Sequence, residues 1–227
     1  IGITGLPLIE TGDDLPQLIA SAITRMSIIL NAGDILVVTS KIVSKAEGRW
    51  VNLEEVVVSE HAQSIARQCL KDPREVEIIL RESTGISRLR PGVLIVRHRL
   101  GYVCANAGVD HSNTRPEEFW RLLLPLDPDG SAKSLRDKIG ALTGTYAGIV
   151  IADSHGRPFR LGPIGVAVGV AGIPALMDWR GMPDLFDRQL RVTQVGLADE
   201  IAAAAGVVLG QSNQSTPAVI VRGLSIG

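Results

Sequence analysis

Two short apolar runs do most to constrain the fold. "DILVVTS" (34–40) and "YAGIVIADS" (146–154) are almost free of polar side chains until they close. Each is too short to cross a bilayer and the right length for a strand sunk in a core. Such strands need an apolar interior around them, and 227 residues can build one, as one large domain or two small ones. An apolar share of 45% against 21% charged excludes a disordered chain. A net charge of −1 argues against nucleic acid or a membrane as partner, yet a local basic patch can still serve a small anion. The chain does not open with a signal-peptide pattern, so a cytoplasmic location is the expectation. The two cysteines, Cys69 and Cys104, lack CxxC spacing and sit in apolar settings, which predicts buried free thiols.

Around those runs the pattern alternates between helix and strand. Leu15, Leu18, Ile19, Ala22, Ile23 and Met26 share one face of a helix over 14–26, capped by Asp13 or Asp14. Ser59 caps a helix over 60–70, and Asp72 with Pro73 starts another that runs to about Arg81. Residues 92–108 read as two strands joined by a turn near Arg99–Gly101. Ser131 is the expected cap of a helix over 132–142 that buries Ala132, Leu135, Ile139 and Leu142. "GPIGVAVGVAGIPAL" has glycines at 162, 165, 169 and 172, too many for a long helix, and reads as a strand. A strand over 189–196, a helix from Leu197 that stops at Gly210 and a last strand over 217–223 complete the pass. Asp199 and Glu200 read as an exposed helix face. Without a regular βα repeat the class is α+β, with mixed sheets.

Several constellations could carry chemistry. Asp110 and Asp153 each follow an apolar run and precede turn residues. Two such carboxylates can share a hard cation, Mg²⁺ or Mn²⁺, that leaves positions for phosphate oxygens; equally, each can cap a turn. Ser40, Lys41 and Lys45 form a basic loop just past a strand, suited to phosphate or simply solvated, without the P-loop spacing. "LGQSNQSTP" (209–217) offers uncharged hydrogen-bonding groups that can wrap a base or a phosphate, or merely connect. Of the histidines, His111 directly follows Asp110 and His155 stands two residues after Asp153, but none is spaced as a zinc ligand pair. Arg157 and Arg160 are available to a carboxylate or a phosphate.

Taken together, "GLPLI", "GDILVVTSKIVSKAEGR", "ANAGVDHSN", "LPLDPDGSA", "IADSHGRPFRLGPIGVAVGVAG", "LADEIAAAA" and "PAVIVRG" resemble, in this order, the coenzyme F420-0:γ-glutamyl ligase family. The resemblance runs from Gly5 to Gly223. It implies one ligase-like unit over 1–227 made of two intertwined subdomains, and a homodimer; the residues themselves make about 60–140 a helix-rich piece that can form a subdomain. It also implies an activity: GTP activates a carboxylate of coenzyme F420-0 as an acyl phosphate, and L-glutamate attacks to form a γ-linked tail. By motif, Asp110 and Asp153 are implied ligands of a first divalent metal, and Ser154 and Gln211 of a second. Gln211 is neutral where some members have an acid. Leu6, Pro7, Leu8, Ile9, Ser40, Lys41, Lys45 and Asn113 are implied nucleotide contacts. So is the loop of Leu209, Gly210, Gln211, Ser212, Asn213, Gln214, Ser215 and Thr216. The resemblance also leaves room for K⁺. Two other readings stay open on the residues: a metal-dependent nucleotide or phosphodiester hydrolase, and a nucleotide-binding homologue without turnover.

Overall fold

The computed structural model of the chain describes residues 1–115 and 117–224. In chain order the elements are β1 (Gly2–Ile3), α1 (Leu15–Arg25), β2 (Ile35–Thr39), α2 (Ser40–Ala46), β3 (Trp50–Asn52), α3 (Glu60–Cys69) and α4 (Pro73–Arg81). Next come β4 (Ser83–Arg90), β5 (Val93–His98), β6 (Val103–Ala105), β7 (Trp120–Leu122), α5 (Pro128–Thr143) and β8 (Gly148–His155). The chain then forms β9 (Ile164–Ala171), β10 (Met177–Asp178), β11 (Gln194–Val195), α6 (Leu197–Leu209) and β12 (Ala218–Val221). The fold is α+β, as expected, with parallel and antiparallel pairing in one sheet. Contacts group the residues into one unit of 1–47, 125–154 and 164–227 and another of 48–124 and 155–163.

The first unit is organised by a five-stranded sheet in the order β1-β12-β2-β8-β9. Here β2 and β8 run parallel, Ile35 level with Gly148 and Thr39 level with Ala152. The apolar runs are explained by what covers them. Leu36, Val38, Ile149 and Ile151 face α1, α2 and α5, while Ile35, Val37, Val150 and Ala152 face α6. A strand covered on both faces has no position left for a polar side chain. Helix α1 takes Asp14 as its cap, whose carboxylate accepts from the Gln17 N–H, and buries Leu15, Ile19, Ala22 and Ile23. Helix α6 ends at Gly210, as the sequence predicts.

Glycine explains β9. A Cβ on Gly165 would lie 2.3 Å from the Ala202 carbonyl oxygen of α6, and one on Gly169 would lie 2.4 Å from the Pro128 carbonyl oxygen of α5. Both helices approach the strand backbone too closely for any side chain at these positions. The first-turn acids of the same helices reach the strand: Asp199 accepts from the Ala167 N–H and Asp129 from the Val170 N–H, each at 2.8 Å. Asp199 is therefore a strand-edge partner rather than only a solvated helix residue.

Three readings are corrected in this unit. Residues 40–46 form helix α2, not a loop, because Ile42 and Val43 are anchored in the core and no Gly or Pro interrupts the turn. Helix α5 is capped by Asp127, which accepts from the Gly130 N–H, with Pro128 in the first turn; Ser131 lies inside the helix and Leu142 is half exposed. The alternation over 189–196 yields only β11, paired with β10, because Val192 has no face to bury against and is 86% exposed.

In the second unit, Ser59 caps α3 and Asp72 caps α4, as the sequence predicts. Ala62, Ile65, Ala66 and Cys69 of α3 pack with Val76 and Ile79 of α4 and with Leu94 and Val96 of β5. Strands β4, β5 and β6 form an antiparallel sheet, and β3 pairs with β7. Strand β4 escapes a reading of alternation because nearly every residue in it is exposed and its register shifts twice. Cys69 and Cys104 are both buried, and no disulfide joins them.

Candidate active site

The parallel register of β2 and β8 assembles the most connected part of the predicted site. Level strand ends put Ser40, the first residue of α2, beside Asp153, and the Ser40 hydroxyl donates to Asp153 Oδ1 at 2.9 Å. Neighbouring residues of a strand project to opposite faces, so Ser154 turns toward the α6 side. There its hydroxyl bonds to Gln211 Oε1 at 2.9 Å, two residues past the end of α6. Ser40, Asp153, Ser154 and Gln211 thus meet in two pairs at the carboxyl end of a parallel strand pair, a position that suits ligands in α/β sheets. Asp153 lies inside β8, which continues to His155, rather than after the strand. Asp153 and Ser154 carry only oxygen, and Gln211 turns its amide oxygen to Ser154, a donor set suited to Mg²⁺ or Mn²⁺ and not to a soft metal.

The other predicted residues of this unit flank that end. Lys41 and Lys45 lie one helical turn apart on α2, half-buried, with Lys45 in the last turn. Leu6 is half-buried against the core, Pro7 is exposed, Leu8 is 87% exposed and Ile9 is a core residue at 4%. Of these four, Pro7 and Leu8 present side chains to solvent, whereas Ile9 offers a ligand only backbone. The loop after Leu209 is held by its own bonds. Gln214 Oε1 accepts from the Ser212 N–H, the Ser215 hydroxyl donates to the Asn213 carbonyl, and the Thr216 hydroxyl donates to the Gln214 carbonyl. Gly210 has φ +73, and a Cβ there would collide with the Gln214 side chain.

Asp110 and Asn113 stand in the second unit. Strand β6 ends at Ala105, so Asp110 does not close a strand; a 3₁₀ turn of Asn106–Gly108 intervenes. Asn106, Ala107 and Gly108 all have positive φ, a run that is costly for the first two. After it, Asp110 exchanges backbone hydrogen bonds with Leu122, and its Oδ1 accepts from the Ser112 N–H at 2.7 Å and the Ser112 hydroxyl at 2.8 Å. The backbone bends sharply into Asp110, and "NAG" was the signal for that bend. The Arg115 guanidinium carbon lies 4.7 Å from the Trp50 ring and 4.5 Å from the Trp120 ring, a stacking that no local sequence pattern announces. Arg157 donates to the Leu161 carbonyl, and Arg160 is exposed.

Two buried groups outside the predicted site carry shifted pKa values. Burial lowers the His98 imidazole to about 4 against the pull of Glu82, and Arg99, His155 and Arg49 push the same way as burial. His98 Nδ1 accepts from the Leu100 N–H, which leaves the proton of the neutral ring on Nε2, 3.7 Å from Glu82. Asp34 is held below the usual carboxylate range by its hydrogen bonds from Arg222.

The family model of F420-0:γ-glutamyl ligase matches residues 4–223. The chain belongs to this ligase family. Its relatives agree along the whole length. The coenzyme F420:L-glutamate ligase of Methanothermobacter thermautotrophicus is 46% identical over 227 residues, covering 100% of this chain and 89% of that protein. The protein of the same name from Methanopyrus kandleri is 47% identical over 216 residues, covering 95% of this chain and 83% of its own. That of Archaeoglobus fulgidus is 46% identical over 224 residues, covering 99% and 87%. No helix among the described residues of this ligase-family chain is long and apolar enough to cross a membrane.

Proposed function

We propose that the chain joins L-glutamate to coenzyme F420-0 in γ-linkage at the expense of GTP. The observation that carries this reading is the pairing of Ser40 with Asp153 and of Ser154 with Gln211 at one strand end, in a chain whose relatives are named coenzyme F420:L-glutamate ligase. In the first step a carboxylate oxygen of F420-0 takes the terminal phosphoryl group of GTP, giving an acyl phosphate and GDP. In the second, the unprotonated amine of glutamate attacks the acyl carbon; the C–N bond forms, the C–O bond to phosphate breaks and phosphate leaves. Phosphoryl transfer asks the protein for position and charge neutralisation more than for covalent help.

The chain's residues divide that work. Lys41 and Lys45 supply positive charge to the nucleotide phosphates from one side of α2. The Ser40 hydroxyl holds the Asp153 carboxylate in one orientation. Leu6, Pro7, Leu8, Ile9 and Asn113, with the loop 209–216, contact the nucleotide. Asp110 and Asp153 are assigned to a first divalent metal, Ser154 and Gln211 to a second, whose neutral ligands fit weaker binding. Such an ion, Mg²⁺ or Mn²⁺, supplies charge neutralisation at the phosphate oxygens. We assign the protein to a homodimer, supported by the exposed apolar side chains of Leu185 (97%) and Phe186 (76%) in the segment between β10 and β11.

The test mixes the purified chain with GTP, Mn²⁺, L-glutamate and coenzyme F420-0 and follows products by mass spectrometry. The expected outcome is F420 gaining glutamyl units, with GDP formation continuing over many turnovers only when glutamate is present. GTP loss without a glutamylated product would favour the hydrolase, and GTP binding without turnover the inactive homologue. Lys45→Ala is expected to weaken GTP about tenfold, the loss of one charge-assisted contact; unchanged affinity in a titration removes Lys45 from the phosphate site.

A further inference from the structure

The amino end of the parallel pair, about 15 Å of strand away from Asp153, opens on a cavity of about 450 Å³ lined by Gly33, Asp34, Arg136, Tyr146, Gly148 and Gly172, among others. We propose that this cavity binds a small oxyanion, a carboxylate or a phosphate, through Arg136. Its volume falls in the range of small-ligand sites.

Arg136 projects from α5, and its Nε is buried without a hydrogen-bond partner among the described residues. A buried charged donor left unmatched is expensive, and an anion in the cavity, held by the outer nitrogens of the guanidinium, offsets the cost of its charge. The arginine is also held in place. Its guanidinium carbon stacks 5.6 Å from the centre of the Tyr146 ring, while a Cβ on Gly172 would lie 2.3 Å from its Nε. A Cβ on Gly140 would in turn lie 2.4 Å from the Tyr146 ring. Glycine at 140 and 172 is therefore what allows the ring and the backbone to clasp the guanidinium. Clasping a planar fork before the ligand arrives lowers the ordering cost of binding a two-oxygen anion.

The cavity's carboxylate does not oppose this. Asp34 is 1% exposed, and both its oxygens accept from Arg222, at 2.8 and 2.6 Å, while Oδ2 also accepts from the Asn31 N–H. Its charge is already matched, which leaves Arg136 as the cation facing the open space.

The experiment reads the site locally, because phosphate is also expected at the nucleotide site. The Arg136 Nε–H resonance of the full chain, identified by its loss in Arg136→Lys, is followed by NMR during separate titrations with inorganic phosphate and acetate. The expected result is a saturable shift of that resonance and of the Tyr146 ring signals, with the stronger titrant naming the ligand class. In Arg136→Gln the affinity read on Tyr146 should fall at least about tenfold. An Arg136 resonance that stays in place with both titrants at tens of millimolar, a range that covers weak sites, overturns the proposal, and it does so whether or not the chain proves to be a ligase. The wild-type titration alone decides the matter if Arg136→Gln does not fold.

Discussion

In the unit of 1–47, 125–154 and 164–227, a sheet is closed on both faces by aliphatic side chains, and its buried carboxylate Asp34 is answered by a single arginine. In the unit of 48–124 and 155–163 much of β4 is exposed, and a charged cluster takes part in the core. There Glu82 meets Arg49 at 3.1 Å, Arg99 at 2.9 Å and the fully buried His98 at 3.7 Å. Apolar burial is non-directional and indifferent to pH, whereas a buried charge cluster works only in one geometry and one protonation state. The first unit thus holds its strand end on an apolar frame, and the second couples part of its stability to its electrostatics.

Four experiments probe that contrast. The largest effect is expected from Asp153→Asn. Turnover should fall at least about a thousandfold through loss of the proposed metal ligand, while thermal unfolding barely moves because the sheet beneath is unaltered. Retained turnover would remove Asp153 from the chemistry. Next, Glu82→Gln should cost the second unit about 2–3 kcal/mol, since two partly buried guanidinium groups lose their carboxylate. Urea unfolding followed by Trp50 and Trp120 fluorescence measures this, and a midpoint unchanged from wild type would break the comparison.

The third is a pH profile. Unfolded, His98 takes a proton near 6.5; folded, near 4. Between those values the unfolded state binds more protons, so stability is full above 6.5 and falls as the pH is lowered toward 4, by on the order of 2–3 kcal/mol. The same urea titration at stepped pH should show this slope, and His98→Phe should flatten it. The smallest effect is expected from Gly169→Ala, where a methyl group would press on the Pro128 carbonyl oxygen. It should destabilise the first unit by about 1–2 kcal/mol, equally at pH 5 and pH 7, as differential calorimetry can check.

The two units also differ in how far they can be read from sequence. The elements of the first announce themselves: continuous apolar strands, an Asp14 cap, and glycines wherever a helix crosses β9. The departures lie where two local signals compete, as at α5, where Asp127 followed by Pro128 outbids Ser131. In the second unit the capped helices α3 and α4 were legible, but β3, β4 and β7 were not, because their residues are exposed or few and leave no face to alternate. Among candidate site residues, motif resemblance named Asp153, Ser154, Gln211 and Ser40 together. Residue spacing alone left Asp153 as either a ligand or a turn residue, and placed Ser40 in a loop that is in fact a helix.

Local order was decided by the chain itself: caps, stop signals and apolar periodicity act over a few residues, so their physics is written in neighbouring letters. The partnerships were not. Ser40 finds Asp153 across 113 positions and Ser154 finds Gln211 across 57. Those encounters depend on the register of β2 against β8 and on where α6 ends, and only the packed sheet sets both.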